Sequence, residues 1–152
     1  MEARASDPSK RHPYEFYKKL FKLTIGGGAV FWVTTIITSL LPIAADYRAS
    51  FSNWSIQTVW VDSLFVGLII GCLVSYFLLR FFDKIPTKNP ILKSMILGFV
   101  ALVIATILID VPRSLHGSGD TLYYFLIGAI FNLTRFLFLG IVIGYLYKRL
   151  YR

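Results

Sequence analysis

Asp62, Asp110, Asn132 and Arg135 stand in stretches that are otherwise almost wholly apolar, so the chemistry of these four side chains needs explaining. A guanidinium stays charged and offers five N–H donors, a carboxylate accepts, and an amide does both. The set can therefore build either a buried ion pair or a site that binds an anion. Counted at about 1.5 Å per helical residue, Arg135 lies about 20 Å from Lys148, Asp110 about 26 Å from Lys93 and Asp62 about 27 Å from Arg80. Both acids then sit roughly one turn beyond Arg135, whose side chain leans toward its helix N-terminus and so toward them. An arginine facing acyl chains at that depth costs roughly 2.5–3.5 kcal/mol, which turns it inward. One reading is a pair or triad that fixes which helices are neighbours. The other is an anion-binding or coupling site at the bottom of a cavity, with the hydroxyls of Thr34, Thr35, Thr38 and Ser39 as further ligands.

The elements that position these residues are four apolar stretches, read as helices over residues 23–45, 59–80, 91–111 and 121–147. A bilayer core needs roughly 20 helical residues, and continuous rather than alternating apolar runs favour helices over a barrel. The short middle spans borrow Arg80 and Lys93, whose stems lie along apolar surface while their charges reach the headgroups. A soluble domain of 152 residues could not hide 56% hydrophobic residues. The expected fold is an all-α, integral membrane four-helix bundle with the lipid bilayer as its solvent. Residues 1–22 form a basic N-terminal segment that either lies as an interfacial helix or begins the first span, and residues 149–152 form a basic tail. Pro42 either ends the first helix or frees a backbone carbonyl.

Charge assigns the orientation. Of 16 Lys and Arg, Arg4, Lys10, Arg11, Lys18, Lys19 and Lys22 precede the first span, and Arg80, Lys84, Lys88 and Lys93 lie between spans two and three. Lys148, Arg149 and Arg152 end the chain, whereas Arg48 and Arg113 are alone in the other two loops. By the positive-inside rule both termini and the middle loop are cytoplasmic, which suits a multi-pass protein of the cell membrane. The net charge of +8 is split among three membrane-flanking segments, so no nucleic-acid partner is expected.

Two patterns bear on packing. Gly67-Leu68-Ile69-Ile70-Gly71 is echoed by Gly140-Ile141-Val142-Ile143-Gly144, and both spans run in the same direction, as two repeated helical hairpins would. In that alignment Asp62 falls opposite Arg135. Ser63, Gly67, Gly71 and Ser75 recur every fourth residue as one stripe of small side chains, and Gly128, Gly140 and Gly144 approximate a second. Small residues let helix backbones approach closely in lipid, either inside one bundle or across a self-association face.

The functional classes narrow by elimination. Cys72 is the sole cysteine, and His12 and His116 fall on opposite sides of the membrane, so no metal site and no cofactor is expected. No nucleophile with its base stands at a recognisable spacing, so no catalytic residue and no enzyme is expected. The favoured reading is an accessory or assembly subunit packing beside a larger membrane partner. The competing reading is an oligomeric small transporter, flippase or channel subunit with an intramembrane Arg/Asp site.

Overall fold

The computed structural model describes residues 11–51, 54–116 and 120–151. Residues 1–10 of the basic N-terminal segment and Arg152 of the tail lie outside them. The helices are α1 (Arg11–Ser39), α2 (Pro42–Phe51), α3 (Ile56–Arg80), α4 (Pro90–Ala105), α5 (Val111–Leu115) and α6 (Thr121–Tyr151). A π-turn over Thr106–Asp110 joins α4 to α5 without a break. Four helices, Pro13–Ser39, Ile56–Arg80, Pro90–Leu115 and Thr121–Tyr151, are long and apolar enough to cross a bilayer. By length and composition the chain is thus a multi-pass membrane protein with an all-α four-helix arrangement.

Local chemistry explains where these helices start and stop. Ser55 caps α3 by accepting from the Thr58 N–H at 3.2 Å, and Asn89 caps α4 by accepting from Ile91 at 3.0 Å, with Pro90 in the first turn. The first span differs from its expected 23–45 at both ends. Tyr14 to Lys22 form the opening turns of α1 itself, and α1 stops at Ser39. There the chain tightens, Leu40 and Leu41 donating back to Ile37 and Thr38 at 3.3 Å each, and Pro42 begins a separate short helix because it has no N–H to continue α1. Pro112 has a similar effect further on. The N–H of Val111 reaches the Thr106 carbonyl five residues back, and the widened turn admits Pro112 without ending the helix.

The packing is that of a protein in lipid. On α3 the stripe Ser63, Gly67, Gly71 and Ser75 is buried, while Val61, Phe65, Ile69 and Leu73 on the opposite face are half or more exposed. Small residues face the neighbour and large apolar ones face outward, the arrangement that van der Waals association of helices in a bilayer requires. A Cβ placed on Gly71 would lie 3.1 Å from both the Gly28 nitrogen and the Thr24 carbonyl oxygen, so α1 and α3 meet backbone to backbone. Gly140 meets Ser94 and Met95 of α4 in the same way, Gly144 meets Ile91 and Ser94, and Gly128 holds the ring of Tyr47. The glycines that carry the sequence repeat therefore close the second helix of each hairpin on the first, and both stripes lie inside the bundle. Across the α4–α6 seam the Ser94 hydroxyl also donates to the Gly140 carbonyl at 2.5 Å.

At the α2 end of the bundle, Trp32 Nε1 donates to the Trp60 carbonyl at 2.9 Å and Trp60 Nε1 to Ser39 Oγ at 2.8 Å, clasping α1 to α3. At the opposite end Lys93 departs from expectation. It is 4% exposed, with its ammonium donating to the Phe82 carbonyl and lying 3.7 Å from the Phe82 ring centroid, so it tethers the Phe82–Lys84 turn to α4 and does not reach out to headgroups. Arg80 is exposed.

Candidate functional site

The apolar interior falls into two clusters. One contains Phe31, Val74, Leu102, Phe136 and Leu139; the smaller one, at the α2 end, contains Ala44, Ile127 and Phe131 with Tyr47 and Tyr124 against it. Between them lies a cavity of about 250 Å³, walled by α1, α2, α3, the π-turn and α6. Asp62, Asp110, Asn132 and Arg135 all line it.

The π-turn is what turns Asp110 inward. Along α4 the inward positions are Gly98, Leu102 and Ala105, a spacing of four and three. The extra residue of the wider turn moves the next inward position from Ile109 to Asp110, which is half-buried while Ile109 is 59% exposed. Asp110 Oδ2 then accepts from Asn132 Nδ2 at 2.9 Å, and Asn132 Oδ1 accepts from Arg135 Nη1 at 3.4 Å. Arg135 and Asp110 are thus joined through a neutral amide, and the direct pair expected from helix counting does not form. Arg135 Nε is buried and meets no acceptor among the described residues. Asp62 lines the same cavity from α3, exposed to it and without a hydrogen bond or ion pair to any described residue.

The hydroxyls of α1 are less available than their positions suggest. Thr34, Thr35, Thr38 and Ser39 each donate to a carbonyl three or four residues back at 2.7–3.1 Å, leaving only lone pairs to face outward. Three wall residues were not singled out in the sequence because they sit in what read as loops: Tyr47 and Arg48 of α2, and Arg113 of α5. Arg113 lies 5.9 Å from the Trp54 ring. Burial, with Asp110 second, pushes the Tyr47 phenol above the ordinary tyrosine range, so it stays a neutral hydrogen-bonding group at the cavity wall. The first apolar stretch is followed by Asp46-Tyr47-Arg48 and the third ends on Asp110-Val111-Pro112-Arg113, an acid with an arginine shortly after it in each case, and this likeness was the available signal for the region. Among the described residues no cluster of His, Cys, Asp and Glu could hold a metal ion.

The site can engage an anion through Arg135, whose one hydrogen bond among the described residues is to the oxygen of an amide, and a cation through Asp62. What fold and site define is a multi-pass membrane protein with a polar cavity in one half of its helix bundle. Comparison with protein-family models, with curated proteins and with solved structures finds no match to the chain.

Proposed function

We propose that this protein is a small membrane carrier subunit, of the transporter or flippase kind, that takes an anionic group into the cavity at Arg135. The carrying observation is that Arg135 has an amide oxygen at 3.4 Å and no carboxylate partner among the described residues. A cluster that served only to register helices would neutralise its buried arginine, because an unpaired charge away from water costs several kcal/mol. Here Arg135 reaches Asp110 only through Asn132 and faces a cavity, which is where a ligand supplies a direct counterion. The positive-inside distribution supports a cell-membrane topology with both termini and the Phe82–Lys84 turn cytoplasmic, so that the cavity belongs to the outer half.

The test is anion-dependent stabilisation of the purified chain in a neutral detergent. Phosphate or sulfate should raise the melting temperature of wild type and of Arg135→Lys, and leave Arg135→Gln unmoved. Equal stabilisation of wild type and Arg135→Gln would refute the reading. The accessory-subunit reading draws support from α4, which packs mainly on α6 and, with the π-turn that continues it, leaves Phe99, Val100, Val103, Ile104, Ile107 and Leu108 exposed. Four helices are too few to enclose a wide aqueous path, so carriage favours a homo-oligomer. Mass determination in mild detergent separates the two, since a different co-purifying membrane chain would favour the accessory role.

A further inference from the structure

Asp62 and Arg135 share a level in the bundle. Gly27 of α1 fixes the register: a Cβ there would touch Ile143 Cδ1 at 2.7 Å and lie 3.6 Å from Gly71 Cα, so Gly71 and Ile143 are at similar heights. Asp62 is nine residues along α3 from Gly71, about 13.5 Å, and Arg135 is eight along α6 from Ile143, about 12 Å. The two helices hardly touch each other and both pack on α1, so these side chains stand on separate walls of one cavity. They carry opposite charge, and neither forms an ion pair with any described residue. Two opposite charges without a direct ion pair, held apart across a cavity of about 250 Å³, are complementary to a small molecule that carries both charges itself.

We infer that the cavity binds a zwitterionic group, an ammonium joined by a short bridge to a phosphate or carboxylate, with the ammonium at Asp62 and the anionic oxygens at Arg135. This inference rests on the proposed anion site and adds the second charge to it. Asp110 is the weaker candidate for the ammonium because Asn132 already donates to it at 2.9 Å. Of the other guanidiniums in the wall, Arg113 faces the Trp54 ring, and Arg48 ends α2. Three arginines against two aspartates leave the lining one positive charge in excess, which suits a ligand whose anionic end is at least singly charged. Such chemistry belongs to the headgroup of an aminophospholipid and equally to a free solute.

The experiment is calorimetric titration of the full chain in dodecyl maltoside with O-phosphoethanolamine and with ethyl phosphate, which lacks the ammonium. A charge-assisted contact at Asp62 should make O-phosphoethanolamine bind about tenfold tighter, equivalent to about 1.4 kcal/mol. Asp62→Asn should erase that preference, with ethyl phosphate bound no more weakly than by wild type because a carboxylate that repels it is removed. Arg135→Gln should weaken both probes, with Arg135→Lys as the charge-retaining variant should the glutamine variant fold poorly. No preference in wild type, or a preference that survives Asp62→Asn, overturns the zwitterion assignment and leaves the anion site standing. Failure of both probes to bind, or binding indifferent to Arg135→Gln, overturns the anion site and the assignment with it. Dihexanoyl phosphatidylethanolamine distinguishes the sources: tighter binding than O-phosphoethanolamine assigns a lipid headgroup, and weaker binding assigns a free solute.

Discussion

Replacing Gly71 by alanine and, separately, Gly26 by alanine tests whether α1 and α3 owe their association to backbone contact. Both substitutions remove a helical glycine, which by propensity alone favours the helix by about 0.8–1 kcal/mol. They differ in what the new methyl meets. At Gly71 the Cβ would lie 3.1 Å from the Gly28 nitrogen, 3.1 Å from the Thr24 oxygen and 3.6 Å from the Gly27 carbonyl carbon, all of them backbone atoms. Relief requires α1 and α3 to separate, and overpacking of that kind costs about 1–3 kcal/mol. At Gly26 the methyl meets the tip of the Leu146 side chain, which can rotate away for about 0.5–1.5 kcal/mol. The expected result is a net loss of up to about 2 kcal/mol for Gly71→Ala and a change near zero for Gly26→Ala, taking each clash against its propensity gain. Thermal unfolding in detergent, followed by the fluorescence of Trp32 and Trp60, provides the measurement. Leu73→Ala, on the outward face of α3, is the control for general sensitivity. Equal stability of the Gly71 and Gly26 variants would refute the argument that the stripe is a close interface.

Further expectations follow from the site and the ends of the bundle. Asn132→Leu takes a hydrogen-bond partner from both Asp110 and Arg135, at about 1–3 kcal/mol for each bond lost, whereas Arg135→Met leaves the Asp110–Asn132 bond in place; urea or thermal unfolding should rank Asn132→Leu as the more damaging, and the reverse order would show a direct Arg135 pair. In a Cys72→Ser background, Gln57→Cys and His116→Cys should react with an impermeant maleimide from outside intact cells and Asp83→Cys only after lysis; the same accessibility for all three would refute the proposed topology. Lys93→Ala should lower stability by about 1–3 kcal/mol because the Phe82 carbonyl loses its donor, while exposed Asp83→Ala should change it by less than about 0.5 kcal/mol.

The helices were legible in the sequence because a bilayer imposes a minimum apolar length, and the site was legible because charge in such a stretch stands out against its surroundings. Asp62, Asp110, Asn132 and Arg135 were found in this way, and the cavity gathers all four. Their mutual geometry was not legible. Heights counted from Arg80 and Lys148 place Asp62 above Arg135, but those two residues do not end at the same level, and the contact of Gly27 with Gly71 and Ile143 sets the register instead. The bridging role of Asn132 depends on the π-turn that rotates Asp110 inward, and only Pro112 hinted at that turn. Lys93 was misjudged because its burial depends on a nearby orphan carbonyl, a partner that arises only once the Phe82–Lys84 turn has formed.

Beyond Arg135 toward the Phe82–Lys84 turn, the helices close on one another. Gly27, Gly28, Gly67 and Gly71 bring α1 onto α3, Leu139 and Ile143 close the third side, and Leu23 and Leu78 are fully buried below them. The cavity is consequently floored by a seam in which α1 and α3 meet backbone to backbone. Passage to the other side would require α1 to part from α3 along the very contacts that hold the first hairpin together. In the proposed carrier, speed of transit and firmness of fold would be governed by the same few backbone atoms, so that loosening the seam would hasten one at the expense of the other.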